Sequence, residues 1–261
     1  TPETLVIAVS QSGETADTLA SVRYAKKQGA IVIAVCNVVG SSITREVDAT
    51  LYTHAGPEIA VASTKAYTSQ LAILFLLSLY LGGLRKLVPA DESERLLQCF
   101  KQLPEQVEKV LAQSSNIQEL ASRYAQFDRF LYLGRHVNYP SALEGALKLK
   151  EISYIHAEGY PAGEMKHGHI ALIDDNMPVM CIVTQSSVYE KMVSNLQEVH
   201  ARGGKIIAIA TQGDSEIRGL IQDGVYLPEA HEFVSPIIVA VALQLFAYHV
   251  AVHRGLDVDQ P

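Results

Sequence analysis

Short apolar runs rich in β-branched residues alternate along this chain with longer stretches of helical period. The runs that predict strands are Leu5 to Val9, Ile31 to Cys36, Thr50 to Thr53, Phe130 to Leu133, Val179 to Val183, Ile206 to Ala210 and Val225 to Leu227. The stretches that predict helices are Ala16 to Gln28, Ser63 to Leu81, Asp91 to Ala112, Ile117 to Tyr124, Pro140 to Ser153, Val188 to Ala201 and Pro236 to His253. Strands apolar on both faces that alternate with helices predict an α/β fold, a parallel sheet flanked by helices on both faces. The longest apolar run, Leu71 to Leu81, is interrupted by Ser78 and Tyr80, falls short of a membrane span and reads as a buried helix.

The second half of the chain repeats the first at an offset of 174 residues. Gln11 aligns with Gln185, Ser12 with Ser186, Gly29 with Gly203, Tyr52 with Tyr226 and Gln70-Leu71 with Gln244-Leu245, with no gap needed. Two copies of one α/β domain are expected, residues 1–113 and 114–261, joined through the charged stretch Asp91 to Ala112. Phe130 to Leu133 and Pro140 to Ser153 have no counterpart in the first copy, so that copy is expected to lack its opening strand and helix. Its strand Leu5 to Val9 is then expected to face water or an improper partner.

In the first copy the run Leu5 to Val9 breaks into Ser10-Gln11-Ser12-Gly13-Glu14-Thr15 before helical composition resumes at Ala16. A strand, tight loop and helix start in that order free backbone N–H groups at the positive end of a helix dipole, which suits an anion. Ser10, Gln11, Ser12 and Thr15 add side-chain donors. The loop has no lysine and matches neither G-x-G-x-x-G nor G-x-x-x-x-G-K-[ST], so a small phosphorylated metabolite suits it better than a dinucleotide or nucleoside triphosphate. An ordinary hydroxyl-capped turn fits the same residues. Ser187-Val188-Tyr189 stands in the second copy where the first has Gly13-Glu14-Thr15, so only the first copy reads as a phosphate cradle.

A second concentration of chemistry runs from Ala142 to Ser153 and on through His156, Lys166, His167 and His169. On a helix Glu144, Lys148 and Glu151 share a face, with Leu143, Leu147 and Leu149 expected over the buried sides. A carboxylate beside an ammonium in a cleft suits proton transfer next to a carbonyl; a solvated salt-bridge face fits the same spacing. The histidines lie in a glycine-flanked loop with no cysteine near, a pattern that suits acid–base work on a sugar hydroxyl better than a metal. Ser63 and Thr64 are expected to cap the long helix that follows and to face the crevice of the phosphate loop, with Lys65 at the surface.

Composition narrows the classes. The chain has 261 residues, 48% of them hydrophobic, and a net charge of −7 with no basic cluster, which argues against a nucleic-acid partner. Its three cysteines, Cys36, Cys99 and Cys181, form no C-x-x-C, as expected in a reducing, cytoplasmic setting. No signal or transit pattern is read and no membrane association is expected, although Thr1 is not a natural start.

The runs Ser10 to Thr18, Ala62-Ser63-Thr64-Lys65, Glu144 to Glu151, Lys166-His167-Gly168 and Asp257 to Pro261 together resemble the isomerase half of the glucosamine-6-phosphate synthase family, a tandem of sugar isomerase (SIS) domains, across essentially the whole chain. The resemblance implies conversion of fructose 6-phosphate and glutamine-derived ammonia into glucosamine 6-phosphate. It implies phosphate held by Ser10, Gln11, Ser12 and Thr15, and sugar bound by Ser63 and the backbone of Val61. Glu151 would move the proton between the first two sugar carbons, Lys148 would assist at the adjacent hydroxyl, and His167 from the neighbouring subunit of a homodimer would open the ring. No metal or organic cofactor is implied. The family's upstream glutaminase domain and downstream Schiff-base lysine are not among these residues, so the chain is expected to be a fragment that makes no glucosamine 6-phosphate alone. Another sugar-phosphate isomerase or deglycase, or a non-catalytic sugar-phosphate sensor, would share the phosphate loop.

Overall fold

The computed structural model describes residues 1–260; Pro261, the last residue of the DQP ending, lies outside the described residues. The chain divides into two compact units, residues 1–59 with 63–90, and residues 60–62 with 91 onward.

The first unit is built on three parallel strands, β1 (Leu5–Ser10), β2 (Ile31–Cys36) and β3 (Ala49–Tyr52), in the order β1-β2-β3. Period-two alternation divides their side chains between two faces. Ala8, Val32, Ala34 and Cys36 form a core with Leu19 and Val22 of α1 (Ala16–Lys27) and Ile43 of the short α2 (Ser42–Glu46). On the opposite face Leu5, Ile7 and Val9 of β1 remain exposed.

The helix α3 (Lys65–Leu84) corrects the expectation of a buried helix, since Ala66 is its only fully buried residue. It also reaches 20 residues, so by length and composition it is apolar enough to cross a membrane, as is α9 (Ser235–His253) of the second unit. The two helices occupy equivalent places in the repeat, yet they differ in surroundings. Within its own unit α3 packs mainly on β2, whereas α9 is enclosed by α5 (Leu103–Leu111), α6 (Ser114–Tyr124) and α7 (Asn138–Ser153) and also touches β8 (Asp223–Leu227). Burial is decided by neighbours, and α9 has them.

The second unit carries a five-stranded parallel sheet in the order β5-β4-β6-β7-β8, formed by β4 (Arg129–Gly134), β5 (His156–Pro161), β6 (Val179–Val183), β7 (Ile206–Thr211) and β8. Its centre is buried on both faces. The helix α8 (Tyr189–Ala201) packs over Val179, Cys181 and Val183 on one side, and α7 and α9 cover the other. Strand β5 escapes the sequence pattern because His-Ala-Glu-Gly-Tyr-Pro lacks an apolar run; it is an edge strand drawn against α7 by Gly159, where a Cβ would lie 2.7 Å from the Leu143 Cα.

Two further expectations change. The stretch Asp91 to Ala112 is two helices, α4 (Ala90–Lys101) and α5, because Pro104 has no N–H to donate and its ring would collide with the carbonyl four residues back in a continuous helix. The repeat also does not run without a gap. Ser10 pairs with Cys36 and Val183 with Ala210, so β1 and β6 correspond at an offset of 173 while β2 and β7 correspond at 174. The extra residue lies in α8, which has 13 residues against 12 in α1. Val188, not Tyr189, therefore stands where Thr15 stands, each being the N-cap of its helix.

Candidate active site

The loop after β1 is held open by its own polar groups. Ser10 Oγ is buried and accepts the Gly13 N–H at 3.0 Å, Ser12 Oγ accepts the Glu14 N–H at 3.2 Å, and the Gly13 carbonyl accepts the Ile43 N–H. Gly13 has φ +69°, and a Cβ there would lie 2.1 Å from Ser41 Oγ and 2.9 Å from Cys36 Sγ, so conformation and space both demand glycine. Glu14 turns its carboxylate onto the Ser42 N–H at 2.7 Å, and the hydrogen bonds from Ser42 hold its pKa below the usual carboxylate range. Thr15 caps α1 with extended backbone and no side-chain cap bond.

Past β3, Ser63 and Thr64 do not cap α3 with their hydroxyls. Glu58 takes that place, its Oε2 accepting both the Ser63 hydroxyl and the Ala66 N–H at 3.2 Å. Lys65 is exposed at the first helical position, as its sequence context suggests. Asn37, which follows β2, is a hub that sequence reasoning missed. Its backbone N–H donates to the Gln11 carbonyl, its Oδ1 accepts from Thr53 and the Ala55 N–H, and its Nδ2 donates to the Gly56 carbonyl. Val61, grouped with the second unit, donates its N–H to the Asp259 carbonyl at 3.0 Å.

In the second unit α7 brings Glu144, Lys148 and Glu151 together. Lys148 Nζ lies 2.5 Å from Glu151 Oε2 and 3.7 Å from Glu144 Oε1. The side chains are 5%, 9% and 33% exposed for Lys148, Glu144 and Glu151, so Glu151 is the most open of the three. Burial raises the Glu144 pKa from 4.5 to about 7; Lys148 pulls it down and Glu151 pushes it up. Glu144 Oε1 is itself buried and accepts no hydrogen bond. The helix seats against the core through Ala142, Gly145, Ala146, Leu149 and Ile152. Leu143 and Leu147, expected on a buried side, are 43% and 41% exposed, because the buried stripe runs through the small residues on the other flank.

His167 ends a 3-10 turn, Ala162–His167, whose Ala162 and Met165 are anchored in the core while His167 is exposed and lies 3.7 Å from Glu164. His169 stacks on Tyr160 at 3.6 Å and meets Glu158 at 3.0 Å. Among the described residues no group of three or more His, Cys, Asp or Glu side chains is arranged to hold a metal ion.

A parallel α/β unit with a hydroxyl-rich loop at the carboxyl end of its strand, repeated once along the chain, places the protein in a class. The chain belongs to the SIS domain family, whose model matches residues 1–79 and 124–254. Within that family its similarity is specific. It is 57% identical over 258 residues to a glutamine–fructose-6-phosphate aminotransferase (isomerizing) of Thermus thermophilus, covering 99% of this chain and 43% of the relative. It is 50% identical over 257 residues to the enzyme of that name from Aquifex aeolicus, covering 98% and 42%. The C-terminal domain of glucosamine-fructose-6-phosphate aminotransferase from Francisella tularensis superposes with a TM-score of 0.93 at 42% identity, over 98% of this chain and 73% of that one. Tagatose-6-phosphate ketose/aldose isomerase from Escherichia coli shares the fold, with a TM-score of 0.81 at 20% identity over 98% and 69%. The chain spans less than half the length of the curated relatives it matches.

Proposed function

We propose that this chain is the sugar-phosphate isomerase part of a glutamine–fructose-6-phosphate aminotransferase, comprising two SIS domains at residues 1–113 and 114–261. The whole protein would convert fructose 6-phosphate and glutamine-derived ammonia into glucosamine 6-phosphate, with a glutaminase domain upstream and a cytoplasmic location. The observation that carries this reading is the buried Lys148 bonded to the more open Glu151 in a chain so similar to those enzymes.

In this reading the backbone N–H groups at the start of α1, with Gln11, Ser12 and Thr15, take the phosphate, and Ser10 shapes the loop by holding Gly13. Ser63 and the Val61 backbone meet the sugar. Glu151 accepts a proton from the first sugar carbon and returns it to the second, while the Lys148 ammonium stabilises negative charge building on the neighbouring oxygen. Glu144, 3.7 Å from the Lys148 ammonium where Glu151 is at 2.5 Å, stays out of the transfer. His167 acts on the ring oxygen of a neighbouring subunit's sugar in a homodimer, a role its exposure favours.

The first test is binding. Replacing Ser12 and Thr15 together by alanine should weaken fructose 6-phosphate binding by about 2 kcal/mol or more, read by calorimetry on folded full-length protein. Unchanged affinity would move the phosphate to another loop.

A further inference from the structure

We propose that Asn37 is a positioning residue that holds the β3–α3 loop in register with the phosphate loop, so that phosphate and hexose are recognised as one ligand. This rests on the phosphosugar reading above. Asn37 leaves β2 at the carboxyl end of the sheet, between the two segments assigned to the ligand. Its backbone is tied to the first of them, because its N–H donates to the Gln11 carbonyl at 3.2 Å. Its side chain is committed to the second. Oδ1 accepts from Thr53 Oγ1 and from the Ala55 N–H, both at 2.9 Å, and Nδ2 donates to the Gly56 carbonyl at 2.7 Å. An N–H at one end and a carbonyl at the other leave a single orientation for the amide, and no other side chain of this length supplies both polarities.

The loop needs such a clamp. His54, between the held residues Thr53 and Ala55, has φ +49°, a left-handed conformation uncommon outside glycine, and Gly56 has φ +77°, so the loop turns sharply where Asn37 holds it. Two residues beyond Gly56, Glu58 closes the loop by accepting from the Ser63 hydroxyl and the Ala66 N–H. Asn37 thus places Glu58, Glu58 orients Ser63, and the Ser63 oxygen is left as an acceptor for a sugar hydroxyl. The phosphate loop keeps its own bonds through Ser10 and Ser12 and does not depend on the Asn37 side chain.

These bonds predict a split between two ligands that a merely stabilising residue would not produce. In the full-length protein Asn37→Ala should bind inorganic phosphate within about twofold of the parent but fructose 6-phosphate about tenfold more weakly, as expected when bonds that place a ligand group are lost. Thr53→Val, nearly isosteric and certain to remove one of the three side-chain bonds, should shift the same ratio by about threefold and covers the case in which Asn37→Ala does not fold. Calorimetry with each ligand reads both numbers. Equal weakening of both ligands, or unchanged fructose 6-phosphate affinity in a folded variant, would overturn the proposal. If inorganic phosphate fails to compete with fructose 6-phosphate in the unsubstituted protein, the phosphate-loop reading falls first and takes this inference with it.

Discussion

Glu144→Gln isolates the electrostatics of the α7 face. In the folded protein burial raises this carboxyl to a pKa of about 7, against 4.5 in an open chain. The folded state therefore binds the extra proton between those values. A raised carboxyl pKa adds stability that is fully present below pH 4.5 and is lost as pH rises through 7. A tenfold change in a proton-binding constant is worth about 1.4 kcal/mol, so ionising Glu144 in place costs the folded protein ~3 kcal/mol, most of it falling between pH 5 and pH 8. Glutamine has nearly the same shape and no proton to lose. Urea unfolding of parent and variant at the two pH values should show them close at pH 5 and the variant more stable by about 2 to 3 kcal/mol at pH 8. A variant less stable than the parent at pH 8 would refute the reasoning, because Glu144 would then be a carboxylate that Lys148 requires.

Two glycines give steric tests. Gly13→Ala combines φ +69° with a Cβ 2.1 Å from the buried Ser41 hydroxyl, so it should cost about 1 to 3 kcal/mol in urea unfolding and weaken sugar-phosphate binding as the loop shifts. Gly159→Ala sets a methyl 2.7 Å from the Leu143 Cα, a backbone atom that cannot rotate away; a similar cost of about 1 to 3 kcal/mol is expected, with the phosphate affinity of the first unit unchanged in calorimetry.

The alternation of strands and helices was legible because apolar runs such as Val179 to Val183 and Ile206 to Ala210 are buried on both faces and read as such. The Glu144, Lys148 and Glu151 face was legible because a spacing of three and four residues on a helix is enough to bring them together. The exposure of α3 was not, since its composition matches that of α9 and only the surrounding elements differ. Nor was the register slip between β1 and β6, because a matching Gln-Ser pair hides an extra helical residue that only strand pairing reveals. Asn37 gave no signal at all. A single asparagine after a strand is ordinary, and its meaning lies in partners 16 to 19 residues on. Glu58 displaced the expected Ser63 and Thr64 caps for a related reason: its carboxylate reaches the helix start from eight residues upstream of Ala66.

In the proposed reaction Glu151 carries the proton between the sugar carbons. Exchange of solvent deuterium into the first carbon of fructose 6-phosphate, measured by NMR in the full-length protein, reads this transfer directly. Glu151→Gln should slow exchange by about 10² to 10⁴ fold with ligand affinity nearly unchanged, whereas Glu144→Gln should exchange at close to the parent rate. Equal losses from the two substitutions would contradict the account and make the α7 face a structural charge network.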